Sequence, residues 1–546
     1  MKKIVTKVFL FVLINAFIQC GLNSNTFAKT RRHLVIHGGL SAVDLLAVAK
    51  NTDYLIVSDA RLDYLKQIKQ MNPRLILLKY HNALGVRESY PQWNYIQKNE
   101  DWFVHDKYTN QRLKAQKYGW YLMNNADASW RNFLARKVVS ETDDLFDGVF
   151  IDDFWSHFVN KFWTARTQSP AQPSESLIRE WDQNMILILK QIRSLYSQLI
   201  FINGAHQKYM HYVDGCMEEG FVHANWHSDG HFPDPSKYLR SLLKIQQLKK
   251  FAKTILVQSG SRGDNPTDIE HIFNFCVASY FLVSARNTSF GFHPLHTYYF
   301  KGIPPYDNYS LDLGLPKGDF YMVTEGRHPP NLIPYGNFDD GFRGWKILTG
   351  APSVDTGQSI NGRAILFVGA PGRSDKIISK YIPVTANKDY MLSAYCKSEM
   401  NQALSAGYKK LGLQGRYYDK NKTRLPGAFD LQFDAGTFDW LPFAITHTSP
   451  SSAAYFRLRL GFIGDGLGKG WVDEVYFGPP PVGEKILRRD FSHGLVIVNY
   501  GLKDATVALN RLSQDPNGKH LTIKAGEGKI IIAGSGDNHP PNTVVK

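Results

Sequence analysis

A chain of 546 residues, 43% apolar and 21% charged, can fill several separate cores and carries too few charges for extensive disorder. Its formal charge of +15 is spread along the sequence and not gathered into runs. That excludes a basic arm of the kind that grips nucleic acid, and reads as a solvated basic surface with only a weak bias toward acidic partners.

Residues 1–28 read as an export signal: Lys2, Lys3 and Lys7 form a basic end, Val8 to Ile18 an apolar run broken only by Asn15, and Thr26-Phe27-Ala28 a small-residue cleavage site. The run is short for a membrane span, so no integral span is expected once it is removed. Cleavage takes three lysines and no acids, lowering the charge from +15 to +12. Cys20 opens a lipoprotein alternative, against which stands Phe17-Ile18-Gln19, lacking the small residues such processing prefers. The expected location is periplasmic or extracellular. Beyond the signal only Cys216, Cys276 and Cys396 occur, widely spaced and odd in number, which points to buried free thiols and not to a disulfide framework or zinc site.

From His33 to about Leu315, short apolar runs alternate with amphipathic stretches. Strands are expected at 34–37, 54–58, 75–80, 148–152, 199–203, 215–219, 254–258 and 289–292, and helices at 42–50, 61–71, 129–145, 176–197, 235–253 and 268–284. Continuous apolar strands suit a parallel sheet buried on both faces, and eight of them with interleaved helices define an α/β fold, a (β/α)8 TIM barrel over residues 29–323. A doubly wound open sheet is the structural alternative, but no glycine-rich phosphate turn follows the first strand. Residues 82–120, with Trp93, Trp102, Tyr108 and Trp120, form an unusually long loop of the kind that serves function at a barrel mouth.

Past Arg327-His328-Pro329-Pro330, helical periodicity vanishes, and alternating segments such as Tyr390–Tyr395 and Ala454–Leu460 predict an antiparallel all-β sandwich over 324–480, ended by Pro479-Pro480-Pro481. Residues 481–533 read as a small C-terminal β-domain that continues 312–323, with the sandwich inserted into it, and 534–546 as a disordered tail.

Polar groups stand at nearly every expected strand end: His37, Asp59, Tyr80 and His81, Asp152 and Asp153, Asn203, Glu218 and Glu219, Gln258 and His293. Two ends resemble one another. Both 147–153 and 214–219 begin Asp-Gly, and aligning those pairs sets Asp152 against Glu219, so strand alternation selects these two over Asp153 and Glu218. Paired carboxylates are the minimum apparatus for glycoside hydrolysis, with Asp152 as nucleophile or base and Glu219 as acid. Asp153, Glu218, Asn203 and Gln258 are expected to support them; solvated or helix-capping roles are the plainer reading of Asp153 and Glu218. A magnesium or calcium site built from Asp152, Asp153 and Glu219 is the chemical competitor, although no metal or other cofactor is expected. Tyr80, Trp120, Trp155 and Trp226 could stack on sugar rings, with His37, Asp59, His81 and His293 as polar contacts, so a poly- or oligosaccharide is the expected partner. Neither an HExxH zinc motif nor Gly-x-Ser-x-Gly occurs.

The segments 101–106, 122–127, FDGVFIDDF and DGCMEEGF resemble, in this order, the glycoside hydrolases of the broad α-galactosidase and polygalactosaminidase-like barrel group, and LDLGLPKGDFYMV with RRDFSHGLVIVNY resembles that group's C-terminal β-domain. The resemblance implies a sugar-cleaving barrel with carboxylates on strands four and six, at the positions of Asp152 and Glu219. Residues 331–478 resemble jelly-roll carbohydrate-binding modules in NLIPYGNF with Trp345 and in GWVDEV. Those stretches hold such a sandwich together, so Trp345 and Trp471 are expected in its core; Tyr417, Tyr418 and Trp440 are alternative binding aromatics, and similar folds also bind protein or nothing. An exported glycoside hydrolase is the expectation; a non-catalytic carbohydrate-binding or cell-surface protein on a degenerate barrel is the alternative.

Overall fold

The computed structural model describes residues 31–36, 45–58, 61–115, 118–156, 173–223, 234–261, 266–294, 311–324, 329–403, 410–427, 429–464, 466–480, 485–508 and 520–532. The export signal, Cys20, His37, Asp59, Trp226 and the tail lie outside the described residues.

Eight parallel strands carry the first domain: β1 (His33–Ile36), β2 (Tyr54–Val57), β3 (Ile76–Asn82), β4 (Gly148–Asp152), β5 (Leu199–Asn203), β6 (Gly215–Glu219), β7 (Thr254–Ser261) and β8 (Thr288–Pro294). Their spatial order is their chain order. A parallel bridge between Arg32 and Phe290, with the Phe290 amide donating to the Arg31 carbonyl at 2.9 Å, joins the last strand to the first and closes the barrel. Around it run α1 (Leu45–Asn51), α2 (Leu62–Met71), α3 (Ala128–Ser140), α4 (Glu175–Leu195), α5 (Pro235–Lys249) and α6 (Pro266–Val283). Short polar caps start three of them: the side chains of Asp127, Ser174 and Asp234 each accept a backbone N–H of the first turn.

Inside the barrel, Tyr54, Ile56, Leu78, Phe150, Phe201, Met217 and Leu256 form one buried cluster. Because side chains alternate along a strand, the residues two positions beyond Phe150, Phe201, Met217 and Leu256 also face inward, at the carboxyl ends. They are Asp152, Asn203, Glu219 and Gln258. The repeated Asp-Gly has a structural cause. Asp147 accepts the Leu77 amide at 2.7 Å and pairs with Lys69 at 2.9 Å, while Asp214 accepts the Ile200 amide at 2.9 Å and pairs with Arg193 at 2.5 Å. Each aspartate therefore seals the entry of the preceding strand and ties it to the preceding helix, which sets β4 and β6 in the same phase.

Two antiparallel sheets make the sandwich. One contains Trp345–Thr349, Lys376–Ser379, Tyr455–Phe462, Leu411–Tyr418 and Phe429–Gln432; the other Ser353–Asp355, Ala364–Ala370, Gly466–Gly478, Asp389–Ala403 and Gly436–Thr448. Their facing sides enclose a continuous apolar core that includes Trp345 and Tyr417. Tyr417, expected as a binding aromatic, is only 4% exposed. It shares the parity of Leu411 and Leu413, which turns its ring into the core. Trp471 is buried and donates its indole N–H to Asp355 at 2.7 Å.

A four-stranded sheet joins Tyr321–Thr324 to Ile486–Phe491, Gly494–Asn499 and Glu527–Ile532, so the sandwich leaves and re-enters the chain between two paired strands. This sheet packs on α6, where Arg489 donates to the Phe281 and Ser284 carbonyls at 3.0 and 2.8 Å. The sandwich leans on α5: Arg240 donates to the Pro442 carbonyl at 3.0 Å and lies over the Phe443 ring, and Gln247 donates to the Trp440 carbonyl at 3.2 Å. Cys216, Cys276 and Cys396 are free and buried. Among the described residues no helix is long and apolar enough to cross a membrane.

Candidate active site

One amide holds the site together. The Asn203 side-chain nitrogen donates to Asp152 Oδ1 at 2.8 Å and to Glu219 Oε2 at 2.7 Å, one hydrogen to each carboxylate. Those two oxygens can be no farther apart than the two bonds laid end to end, about 5.5 Å. Asp152 sits part-buried on β4, while Glu219, on β6, is exposed to the mouth. The Tyr80 phenol also donates to Asp152, and the Asp153 amide closes on Asp152 Oδ1 at 2.7 Å. Three donors from three chain positions thus fix the Asp152 carboxylate in one rotamer. Burial, and then the charge of Asp152, pushes the Tyr80 phenol far above its ordinary pKa, so it remains a donor.

Backbone conformation at the strand ends explains the local sequence. Asp153 adopts φ 58°, turning its buried side chain away from Asp152, and Asn82 donates to its Oδ2 at 2.8 Å. Asn82 also accepts the Leu84 and Gly85 amides at 3.0 and 2.6 Å, so one side chain ties the start of the long loop to the site. After Asn203 the chain turns at Gly204, φ 156°, where a Cβ would stand 1.8 Å from the Phe154 carbonyl oxygen. Only glycine lets β5 end this close to the segment leaving β4.

Gln258, directly across from Glu219 in the β6–β7 register, is 6% exposed, and among the described residues no donor reaches its buried Oε1. His33 is buried beside Gly291, whose missing Cβ leaves room for the ring; burial and the neighbouring His293 hold it well below the usual histidine pKa. Trp155 packs against the outer barrel core, and its carbonyl accepts the Trp181 indole N–H at 3.2 Å and the Tyr209 hydroxyl at 3.0 Å. Trp120 lies on a small sheet formed by Gly85–Val86, Lys114–Ala115 and Trp120–Leu122, stacked on Tyr118 and covered by the Arg87 guanidinium.

Two expected contributors face elsewhere. Glu218 points through the wall to Lys244 of α5 at 2.5 Å, because it is one position out of phase with Glu219. His81, likewise one position past the inward Tyr80, is buried against α3, where its Nε2 meets Thr142 Oγ1 at 3.2 Å. Neither supports the mouth. Asn82 is the residue the sequence reading missed, although the inward parity of Tyr80 extends to it. Among the described residues no group of three or more His, Cys, Asp or Glu side chains is arranged to hold a metal ion.

The first domain is thus an eight-stranded parallel barrel with Asp152 and Glu219 at its carboxyl end. Residues 69–329 match the family described as hypothetical glycosyl hydrolase family 15, and the barrel is that of a glycoside hydrolase. Similar solved structures include the glycoside hydrolase domain of PelA from Pseudomonas aeruginosa, 11% identical, covering 50% of this chain and 98% of that one, with a TM-score of 0.37. Ega3 of Aspergillus fumigatus, in complex with galactosamine, is 10% identical over 49% of this chain and 92% of that one, TM-score 0.31. A family 16 carbohydrate-binding module is 20% identical over 27% of this chain and 99% of that one, TM-score 0.22. A comparison with curated proteins returned no match.

Proposed function

We propose that the protein is an exported hydrolase of a poly- or oligosaccharide in which Asp152 and Glu219 act on the glycosidic bond. The observation that carries this reading is the single Asn203 amide shared by both carboxylates, which sets them as a pair at the carboxyl end of the barrel. Asp152, held by three donors, is suited to attack the anomeric carbon in one orientation. Glu219, exposed at the mouth, is suited to protonate the leaving oxygen and then to activate water. Asn82 holds Asp153, and the buried amide of Gln258 offers an acceptor to a sugar hydroxyl. Export is supported by the basic end, apolar run and small-residue site of residues 1–28.

A panel of acidic, amino and neutral polysaccharides, assayed by reducing-end release, tests the reading. Asp152→Asn and Glu219→Gln should each lower turnover by about 10³-fold or more, the scale of losing a covalent or acid–base catalyst. Unchanged turnover in either variant removes that residue from the mechanism.

A further inference from the structure

Beyond the catalytic mouth, the outer face of the sandwich sheet that includes Leu411–Tyr418 and Tyr455–Phe462 carries an unusual array. With Leu413, Phe456, Leu458 and Leu460 turned into the core, Gln414, Arg416 and Tyr418 stand on the opposite face, directly across from Arg459, Arg457 and Tyr455. Arg416 and Arg457 are therefore cross-strand partners of like charge, an arrangement that weakens a sheet. Arg424 and Lys422 follow at the strand's end, and burial, then the charges of Arg424 and Arg459, lower the Arg416 pKa. Compensation is partial: Arg416 donates to the Gly415 carbonyl at 2.9 Å and Arg457 to the Ser379 carbonyl at 3.1 Å. Asp430 lies 3.8 Å from Arg416, and Asp419 spends a carboxylate oxygen on the turn amides of Asn421 and Thr423. Among the described residues, the buried Nε of Arg459 has no acceptor, and its Nη1 reaches Gln414 only at 3.4 Å.

We propose that this face binds an anionic polysaccharide, one carrying a carboxylate or sulfate on successive sugar residues. The reading rests on the carbohydrate role proposed above. Guanidinium forks match carboxylate and sulfate oxygens, and Arg416 and Arg457 present two of them from neighbouring strands about 4.8 Å apart. The aromatic groups on this face order its cations. Tyr381 meets Tyr418 and Tyr455 edge-on, at interplanar angles of 80° and 75°, and Arg457 and Lys422 stand 4.6 and 5.1 Å from its ring centre. These rings hold cations in place. The barrel docks through Gly436–Thr448 of the other sheet, and Arg240 also pairs with Asp434, just past Phe429–Gln432, at 3.5 Å.

The test uses the full chain carrying Asp152→Asn, so that binding is read without cleavage, and titrates oligogalacturonate, xylo-oligosaccharide, chitosan oligomers and a single-stranded DNA oligomer by calorimetry. Oligogalacturonate should bind, should weaken as salt rises, and should lose about tenfold in affinity in Arg416→Ala and in Arg459→Ala. Arg416→Lys and Arg459→Lys, which keep the charge without the fork, should fall between. Equal, salt-independent binding of xylo-oligosaccharide, tighter binding of DNA, or oligogalacturonate affinity unmoved in a folded Arg416→Ala/Arg459→Ala variant would each overturn the proposal. None of these outcomes touches the hydrolase reading, which stands or falls on turnover in the unmutated chain.

Discussion

Glu218 and Glu219 are chain neighbours on opposite sides of the barrel wall: Glu219 accepts from Asn203 in the mouth, while Glu218 pairs with Lys244 outside. Their substitutions should therefore separate chemistry from packing. Glu218→Gln should leave turnover within about twofold and cost less than about 1 kcal/mol, because the Glu218–Lys244 pair is partly solvated. Glu219→Gln should lower turnover by about 10³-fold while leaving the urea midpoint close to the parent's. Turnover in both variants, read beside urea midpoints, decides; a Glu218→Gln enzyme as inactive as Glu219→Gln would refute the assignment.

Gln258 gives a second separation. Its buried, unanswered Oε1 carries a desolvation cost of about 1–3 kcal/mol that nothing within the described protein offsets. Gln258→Met, close in volume, should raise stability by about 1 kcal/mol and lower kcat/KM, since a sugar hydroxyl would lose its acceptor. A variant that is both less stable and fully active would show that the amide serves the fold and not the substrate.

How much of this was legible beforehand depended on phase. Period-two alternation was enough to separate Asp152 from Asp153 and Glu219 from Glu218, because Asp147 and Asp214 set both strands in the same register through the bonds they make to Leu77 and Ile200. The same rule, applied to the end of β3, would have discarded His81 and found Asn82. In the sandwich it would have sent Tyr417 inward with Leu411 and Leu413 and left Tyr418 outside. What no pattern could supply was the Asn203 bridge, a contact among three strands whose spacing depends on barrel closure. The arginine face was hidden for a related reason: Arg416 and Arg457 lie far apart in the chain and meet only through the register of two strands.

His33 and His81 make stability depend on pH. Both are buried with pKa values held well below 6.5, His33 by burial and then His293, His81 by burial and then Lys137 and Lys79. Below about pH 6.5 the unfolded chain takes up these protons and the folded one does not, so stability is lost as pH falls, by up to about 1.4 kcal/mol per pH unit for each histidine. His81→Gln keeps a donor for Thr142 and removes one titrating group. Urea unfolding at pH 7, 6 and 5 should show a shallower acid loss in the variant; parallel curves for variant and parent would contradict the neutral, buried state of His81.

The spacing of the carboxylates forecasts the stereochemistry of the cleaved bond. An inverting enzyme keeps its two carboxyl groups about 6.5–9.5 Å apart to admit a water between them, whereas a retaining one sets them about 5–5.5 Å apart so that one can attack the sugar directly. Asn203 reaches both Asp152 and Glu219 from one nitrogen, which limits the facing oxygens to about 5.5 Å. That gap suits direct attack by Asp152 with Glu219 as acid, then base, and the first product should keep the anomeric configuration of the substrate. Proton NMR of the nascent reducing end, recorded before mutarotation, reads the result directly. The inverted anomer appearing first would mean that water, not Asp152, attacks, and that the pair opens beyond the reach of the Asn203 amide when substrate binds.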